Sequence, residues 1–265
     1  MAIQFLRGNP ALLITDRKHG RILCIADVHL GIEHELYRNG IVIAPQAEKF
    51  HREIESLLRV TKATKLVIIG DLKHKVPGIS FREVRELPKL IGPVAAKVET
   101  VLVKGNHDTE LEDLIDAHVE IKDADGFAIG PYGFFHGHAW PAKELLKCDH
   151  LFTAHVHPTV EFVDDFGFRL VEKVWAKGRL DPKIMAKKYA LGPARIKKEK
   201  FAFGKMETVV FPAFNPIISG MPLNSKRGRG ERYLGPLMKS GALKPQKMEA
   251  YMLDGTPLGN IAKLK

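Results

Sequence analysis

Residues 65–74 read Lys-Leu-Val-Ile-Ile-Gly-Asp-Leu-Lys-His. A short aliphatic run gives way at once to Gly70-Asp71. Such a run, rich in branched residues and closed by a turn pair, fits a strand buried on both faces. In open α/β sheets, ligands gather where strands end and loops begin. The same order recurs along the chain. Residues 21–26, apolar after Arg21, read as a strand and lead into Asp27-Val28-His29. Residues 98–103 lead into Gly105-Asn106-His107-Asp108. Residues 132–135 precede His136, and residues 150–153 precede Ala154-His155-Val156-His157.

Helical patterns fill the gaps. In 45–61, Ala47, Phe50, Ile54, Leu57 and Leu58 recur at spacings of three and four, one face of a helix. Pro45 suits its first turn. Residues 81–97 also read as helical, with Pro88 and Pro93 expected to break or kink them. A short helix is expected over 109–115, capped by Asp108 or Thr109. Alternating strands and helices indicate an α/β fold. Beyond His157, residues 159–163 and 168–174 alternate as a hairpin around 164–167. Residues 207–211 resume strand character. Residues 247–253 and 258–264 read as closing strands around the turn at 254–257. No repeat and no linker stands out, so 1–265 reads as a single domain, with a basic excursion at 175–205 from one strand edge to the next.

Hydrophobic residues make up 45% and charged residues 27%, values that exclude a chain disordered throughout. No apolar run reaches the roughly 18–20 residues that span a bilayer. The first seven residues lack the basic start and apolar core of a signal peptide. The expectation is a cytoplasmic protein with no membrane partner. Two cysteines, Cys24 and Cys148, are too few for a disulfide framework or a zinc ribbon and read as buried thiols. The formal net charge of +10 is uneven. Segment 177–205 carries ten Lys/Arg against two acidic residues, and 226–247 carries seven against one, so the remainder is net acidic at −4. That asymmetry points either to a polyanionic partner or to a solvated, lysine-rich surface.

The residues after the strands are carboxylates, imidazoles and one amide, with no thiolate, a set suited to hard or borderline metals. In Asp27-Val28-His29 and His155-Val156-His157, one residue separates two donors, so a single corner can direct both toward adjacent coordination positions. Asp71 offers two oxygens and can bridge two ions. Two divalent ions about 3.5–4 Å apart can clamp a phosphoryl group. Each motif alone is weak: Gly70-Asp71 is a common turn, and a lone His136 reads as a semi-buried histidine. Together, so many ionisable groups at buried strand ends would carry a heavy desolvation penalty without metal.

The ordered set, from Asp27-Val28-His29 through Gly70-Asp71, Gly105-Asn106-His107-Asp108 and His136 to Ala154-His155-Val156-His157, resembles the signature of calcineurin-like metallophosphoesterases. Ala154 stands where that family usually has Gly. The resemblance implies a layered sandwich of two mixed β-sheets flanked by helices. It implies two divalent metal ions, manganese first, with iron or zinc as alternatives. Asp27, His29, Asp71 and His157 would hold one ion, and Asp71, Asn106, His136 and His155 the other. His107 would protonate the leaving oxygen, with Asp108 orienting it, and His74 would contact the substrate phosphate. Residues 27–31, 70–74 and Phe211-Pro212-Ala213-Phe214-Asn215-Pro216 are also similar to SbcD-related ICC-like phosphoesterases, including the type associated with bacterial DNA ligases. The chain is too short for a full SbcD nuclease with its capping domain.

The expected function is therefore a metal-dependent phosphodiesterase acting on nucleic acid, a nuclease linked to DNA repair, with segments 177–205 and 226–247 tracking the backbone. One alternative is a phosphatase or phosphodiesterase for a nucleotide or other small phosphoester. Another is a nucleic-acid-binding subunit with a structural metal site, against which an intact His107 argues. His138 is open between a contact to the site and an exposed loop. Glu33, His34 and Arg38 fall in the loop after the first motif. Trp140 and Trp175 read as packing residues. No oligomeric state follows from the sequence.

Overall fold

The computed structural model describes residues 1–115, 118–193, 201, 206–225 and 234–264. Among these residues the strands form two mixed sheets. The first runs β1 (Ala2–Phe5), β2 (Leu12–Asp16), β3 (Gly20–Ile25), β4 (Lys65–Ile69), β5 (Glu99–Val103), β6 (Val119–Lys122) in both sequence and space. The β3–β6 strands are mutually parallel, while β1 and β2 add an antiparallel edge.

The second sheet is built from β7 (Phe127–Ile129), β8 (Tyr132–Phe134), β9 (His150–Thr153), β10 (Pro158–Val163), β11 (Arg169–Arg179), β12 (Glu207–Val210) and β13 (Met221–Pro222). Its order is β13-β10-β11-β12-β9-β8-β7. A closing pair, β14 (Glu249–Met252) and β15 (Pro257–Asn260), attaches to β11.

Strand alternation explains why the apolar runs are unbroken. Leu66 and Ile68 face an outer core with α2 (Ala47–Thr61) and α3 (Phe81–Ala95), whereas Val67 and Ile69 face the other sheet. Ile22 and Cys24 divide from Leu23 and Ile25 in the same way. Between the sheets, Trp175 is fully buried and stacks on Phe5 at 4.4 Å. The outer face of the second sheet is covered by α4 (Pro182–Lys188) and α5 (Gly235–Lys239), whose Met185, Leu237 and Met238 are buried there. Both sheets are thus flanked by helices. Both cysteines are buried and free. Among the described residues no helix is long and apolar enough to cross a membrane.

Several expectations are corrected. α3 continues through both of its prolines. Pro88 and Pro93 lie on its exposed face, and the carbonyls they leave unpaired, at Val84 and Lys89, belong to exposed residues that water can serve. A capping box at Ser80 and Glu83 and the buried stripe Leu87, Leu90, Ile91 and Val94 hold the rest. No helix forms over 109–115, only turns: Glu110 takes a left-handed φ of 62°, which a right-handed helix cannot contain, and the Asp108 carboxylate, one of the two expected caps, bonds other backbone groups. Residues 32–38, taken as loop, form the short helix α1 (Ile32–Arg38). The strand β11 extends to Arg179, so the excursion begins later than residue 175. Ile261–Lys263 is a 3-10 turn where strand was expected.

Candidate metal centre

Every sequence motif sits just beyond the carboxyl end of a strand: Asp27 and His29 after β3, Asp71 after β4, Asn106 and His107 after β5, His136 after β8, His155 and His157 after β9. The two sheets present these ends together, and backbone bonds lock the corners. Asp27 N donates to Gly70 O at 3.1 Å and His29 N to Asp71 O at 2.8 Å. Ala154 N donates to His136 O at 2.7 Å. The corners are tight enough that Asp27, His29, Asp71, His155 and His157 all take left-handed φ, between 43° and 72°, a conformation costly for side chains other than glycine. Ala154 is not among the left-handed residues, so it replaces Gly without strain.

Two glycines are explained by close approach. A Cβ on Gly105 would stand 2.0 Å from Asp71 Oδ1, and one on Gly70 would stand 2.2 Å from His136 Nδ1.

The residues read as ligands fall into two sets, beside a third group of His29, His74 and His107 whose ring nitrogens also lie within 4.8 Å of one another. Asp27, His29, Asp71 and His157 can each offer one atom within 4.8 Å of the others, and so can Asp71, His136 and His155. Asp71 belongs to both. Within them, His136 Nε2 lies 3.2 Å from Asp71 Oδ2, His157 Nε2 lies 3.3 Å from Asp27 Oδ1, and His29 Nε2 lies 3.5 Å from Asp71 Oδ2. Donors placed about 2.1 Å from a shared ion would stand about 3.0–3.4 Å apart.

The tautomers agree with this. His136 Nδ1 is held by Ile69 O at 2.9 Å and His157 Nδ1 by Ser219 O at 3.3 Å, leaving each Nε2 for an ion. Asp27 Oδ1, Asn106 Oδ1 and His136 Nε2 are shielded from water and, among the described residues, make no well-aligned hydrogen bond, although Asp27 Oδ1 and His136 Nε2 each lie within 3.3 Å of a neighbouring donor or acceptor. Buried polar atoms are seldom left so, and a cation would satisfy all three. The residues therefore fit divalent metal.

Proton affinities follow the same charges. Burial opposes a charge on His136, yet Asp71 and Asp27 beside it outweigh that and its imidazole is pushed up to about 10. Burial likewise opposes Asp71, but His136 and His29 hold its carboxyl well below the usual range. Burial presses His29 down to about 2 and His155 down to about 3, leaving both neutral and ready to ligate.

The neighbouring groups are arranged differently from the sequence reading in one respect. Asp108 does not orient the His107 ring. Its carboxylate accepts from Leu72 N, Lys73 N and Gly105 N at 2.9, 3.2 and 2.9 Å, tying the second and third motif loops together. Burial, then the charge of Asp71, pushes its carboxyl up to about 6. His107 Nδ1 instead bonds the His74 carbonyl, and His107 N donates to Asp71 Oδ1 at 2.8 Å. Among the described residues His107 Nε2 makes no hydrogen bond, and its ring centre is 4.8 Å from that of His29. His74 Nδ1 is 3.3 Å from His29 Nδ1, and its Nε2 is 2.9 Å from Glu35 Oε2.

His138 lies against the second set, its ring 5.3 Å from His136 and 5.9 Å from His155. Burial, then the charge of His136, lowers it to about 4.

Three contributors had no sequence signal of their own: Glu35, Lys173 and Ser219. Lys173 donates to Ala213 O at 3.0 Å and Asn215 O at 2.5 Å, and burial lowers it to about 8. Asn215 sat in a quoted motif without a role. Its neighbour Phe214 donates from N to Ala26 O at 2.8 Å.

The model of the calcineurin-like phosphoesterase family matches residues 20–189. The chain belongs to that family. It is accordingly a phosphoesterase, a hydrolase of ester bonds, in a family that uses divalent metals. No curated protein matches this phosphoesterase significantly. Among solved structures it is similar to Pseudomonas putida nuclease MPE, at 18% identity and a TM-score of 0.51, over 97% of this chain and all of that one. It also matches the E. coli phosphoesterase YfcE at 22% identity and a TM-score of 0.36, over 54% of this chain and 73% of that one.

The basic segments of the phosphoesterase are only partly described: 194–200, 202–205 and 226–233 lie outside the described residues. Of the rest, Lys177, Arg179, Lys244 and Lys247 line a cleft with Asp181, Glu207 and Glu249. Lys177 pairs with Glu207 at 3.1 Å and Lys244 with Asp181 at 3.9 Å. Arg179 is opposite Glu207 at the start of β12, which runs parallel to β9. These cations therefore stand at the strand end opposite the metal centre.

Proposed function

We propose that this phosphoesterase is a phosphodiesterase for nucleic acid that works with two divalent ions, manganese first among them. The observation that carries the dinuclear reading is the pair of largely buried donor sets sharing Asp71. In this reading Asp27, His29, Asp71 and His157 hold one ion, and Asp71, Asn106, His136 and His155 the other. Such ions would supply positive charge to polarise the phosphoryl group and activate the attacking water.

The chain's own residues do the rest. His107, anchored through Nδ1, keeps Nε2 for a proton that it delivers to the leaving oxygen. His74 fixes the His107 ring through its carbonyl and stands beside the phosphate. Asp108 keeps the loops in register. Residues 1–265 act as one unit, since Asn215 and Ser219, far along the chain, brace the first-motif and last-motif ligands. The nucleic-acid substrate is supported by the motif likeness to ICC-like enzymes and by the full-length fold likeness to a protein described as a nuclease.

A second reading, a small phosphoester as substrate, is favoured by Lys177, Arg179, Lys244 and Lys247 of the basic segments standing at the far strand end. A panel of bis(p-nitrophenyl) phosphate, p-nitrophenyl phosphate, nucleotides, and single-stranded and duplex DNA and RNA, with Mn²⁺ and with chelator, tests both. The nucleic-acid reading expects cleavage of polymer that chelator abolishes. Full activity in excess chelator overturns the metal reading, and turnover of monoesters alone selects the second.

A further inference from the structure

Beside His107 and His74 a cleft of about 460 Å³ opens, walled by α1 on one side and by residues 74–80 on the other. Arg38 and Lys75 line it, and the imidazole of His34 joins them. Among the described residues Glu35 is its one lining carboxylate, and it is engaged by His74 Nε2 at 2.9 Å. Arg38 and Lys75 are exposed, and among the described residues neither has an ion-pair partner.

The walls are held by buried charge. The Glu83 carboxylate accepts from His74 N at 2.9 Å, Lys75 N at 2.7 Å, and Ser80 N and Oγ at 2.6 and 2.7 Å. Lys73, fully buried, donates its ammonium to Lys75 O at 2.5 Å and Gly78 O at 2.8 Å. On the facing wall, buried Glu33 accepts from Gly31 N at 3.0 Å and Gln46 N at 2.7 Å. Buried charges are a costly way to stabilise a fold. Here they fix two loops in advance, so a ligand in the cleft would lose little of its binding energy to ordering them.

We infer that this cleft is a subsite for the strand flanking the scissile phosphodiester, with Arg38 and Lys75 taking a neighbouring phosphate. The inference rests on the nucleic-acid reading above. A simple phosphomonoester has no charge beyond its reacting phosphate, so two unpaired cations on a rigid wall next to His107 would have nothing to hold. A strand supplies a further phosphate on either side of the reacting one. Because His107 is anchored on the carbonyl of His74, the wall that receives the neighbouring phosphate also sets the acid.

The test compares wild type with the double variant Arg38→Gln, Lys75→Gln in the Mn²⁺-loaded enzyme. The readout is the ratio of kcat/KM on a 12-nucleotide single strand to that on bis(p-nitrophenyl) phosphate. The ratio is expected to fall about tenfold or more, and the salt dependence of oligonucleotide kcat/KM to weaken by about 0.7 in log–log slope per contact removed. The same change at exposed Arg17 and Lys18, in the turn before β3 and so at the far strand end, controls for lost net charge. Oligonucleotide cleavage with an unchanged ratio, or an equal fall in the control, overturns the subsite alone. Turnover of the small diester with no cleavage of any oligonucleotide overturns the nucleic-acid reading and the subsite with it.

Discussion

Asn215 donates its side-chain amide to the carbonyl of Val28 at 2.9 Å, across 187 positions of sequence. Val28 is the residue between Asp27 and His29, so this one bond braces both donors of the first motif. Asn215 is fully buried, and its Oδ1 accepts from Ile217 N at 2.9 Å.

Asn215→Ala would strand the Val28 carbonyl in a dry interior. The expected cost is about 1–3 kcal/mol in stability, with metal affinity down about 10- to 100-fold. Thermal melts and calorimetric Mn²⁺ titration measure the two. Native metal affinity in this variant would remove Asn215 from the metal centre.

Asp71→Asn keeps the shape of the shared residue and removes its charge. The expected result is a folded protein with fewer than two ions per chain and nearly abolished turnover. Metal analysis after desalting reads the first, and diester hydrolysis the second. Two ions retained with near-native rates would exclude the bridging role.

His107→Gln should leave metal content intact and lower kcat by about 10²–10⁴ on a dinucleotide, the range for losing a general acid. The loss should be smaller on bis(p-nitrophenyl) phosphate, whose leaving phenolate is stable without a proton. Equal losses on the two substrates would mean that His107 binds the phosphate and does not protonate the leaving group.

The charge on His136 links metal, proton and stability. Its folded pKa, about 10, lies above the ordinary value near 6.5. In chelated protein its contribution is therefore fully present below about pH 6.5 and lost as pH rises through about 10. Metal must displace that proton, so Mn²⁺ affinity should climb over the same window, at most about tenfold per pH unit for one proton. Melts from pH 6.5 to 10, with and without Mn²⁺, should diverge as pH rises. Parallel curves would show that no proton is exchanged for metal.

The central parallel strands were legible because burial on both faces demands unbroken apolar runs, as at Lys65–Ile69 and His150–Thr153, whose bounds match the sequence reading. The ligands were legible because each follows such a run. The edge hairpin of β1 and β2 was overlooked: Ile3, Phe5, Leu12 and Ile14 cover one face of short strands next to turns, a weaker pattern. The break or kink expected at Pro88 and Pro93 left out that each proline frees only one carbonyl, and on the wet face, so the helix runs on through both. The role given to Asp108 assumed that neighbours in sequence act on each other, whereas its carboxylate reaches back 36 residues to Leu72. Supports such as Glu35, Lys173 and Ser219 are set by tertiary packing alone, and residue type carries no trace of it.

The left-handed corners at Asp27, His29, Asp71, His155 and His157 bear on any attempt to make this enzyme hardier to heat. A stabilisation scheme that ranks positions by backbone comfort would nominate these five alongside Lys62, Glu110 and Ala190, which share the left-handed φ, since glycine would relax each by about 1–3 kcal/mol. At the five corners every such gain would delete a donor. Tolerance to heat has to be sought in places that chemistry does not use, such as Val60, a branched residue 75% exposed on α2, where a straight side chain suits the helix better.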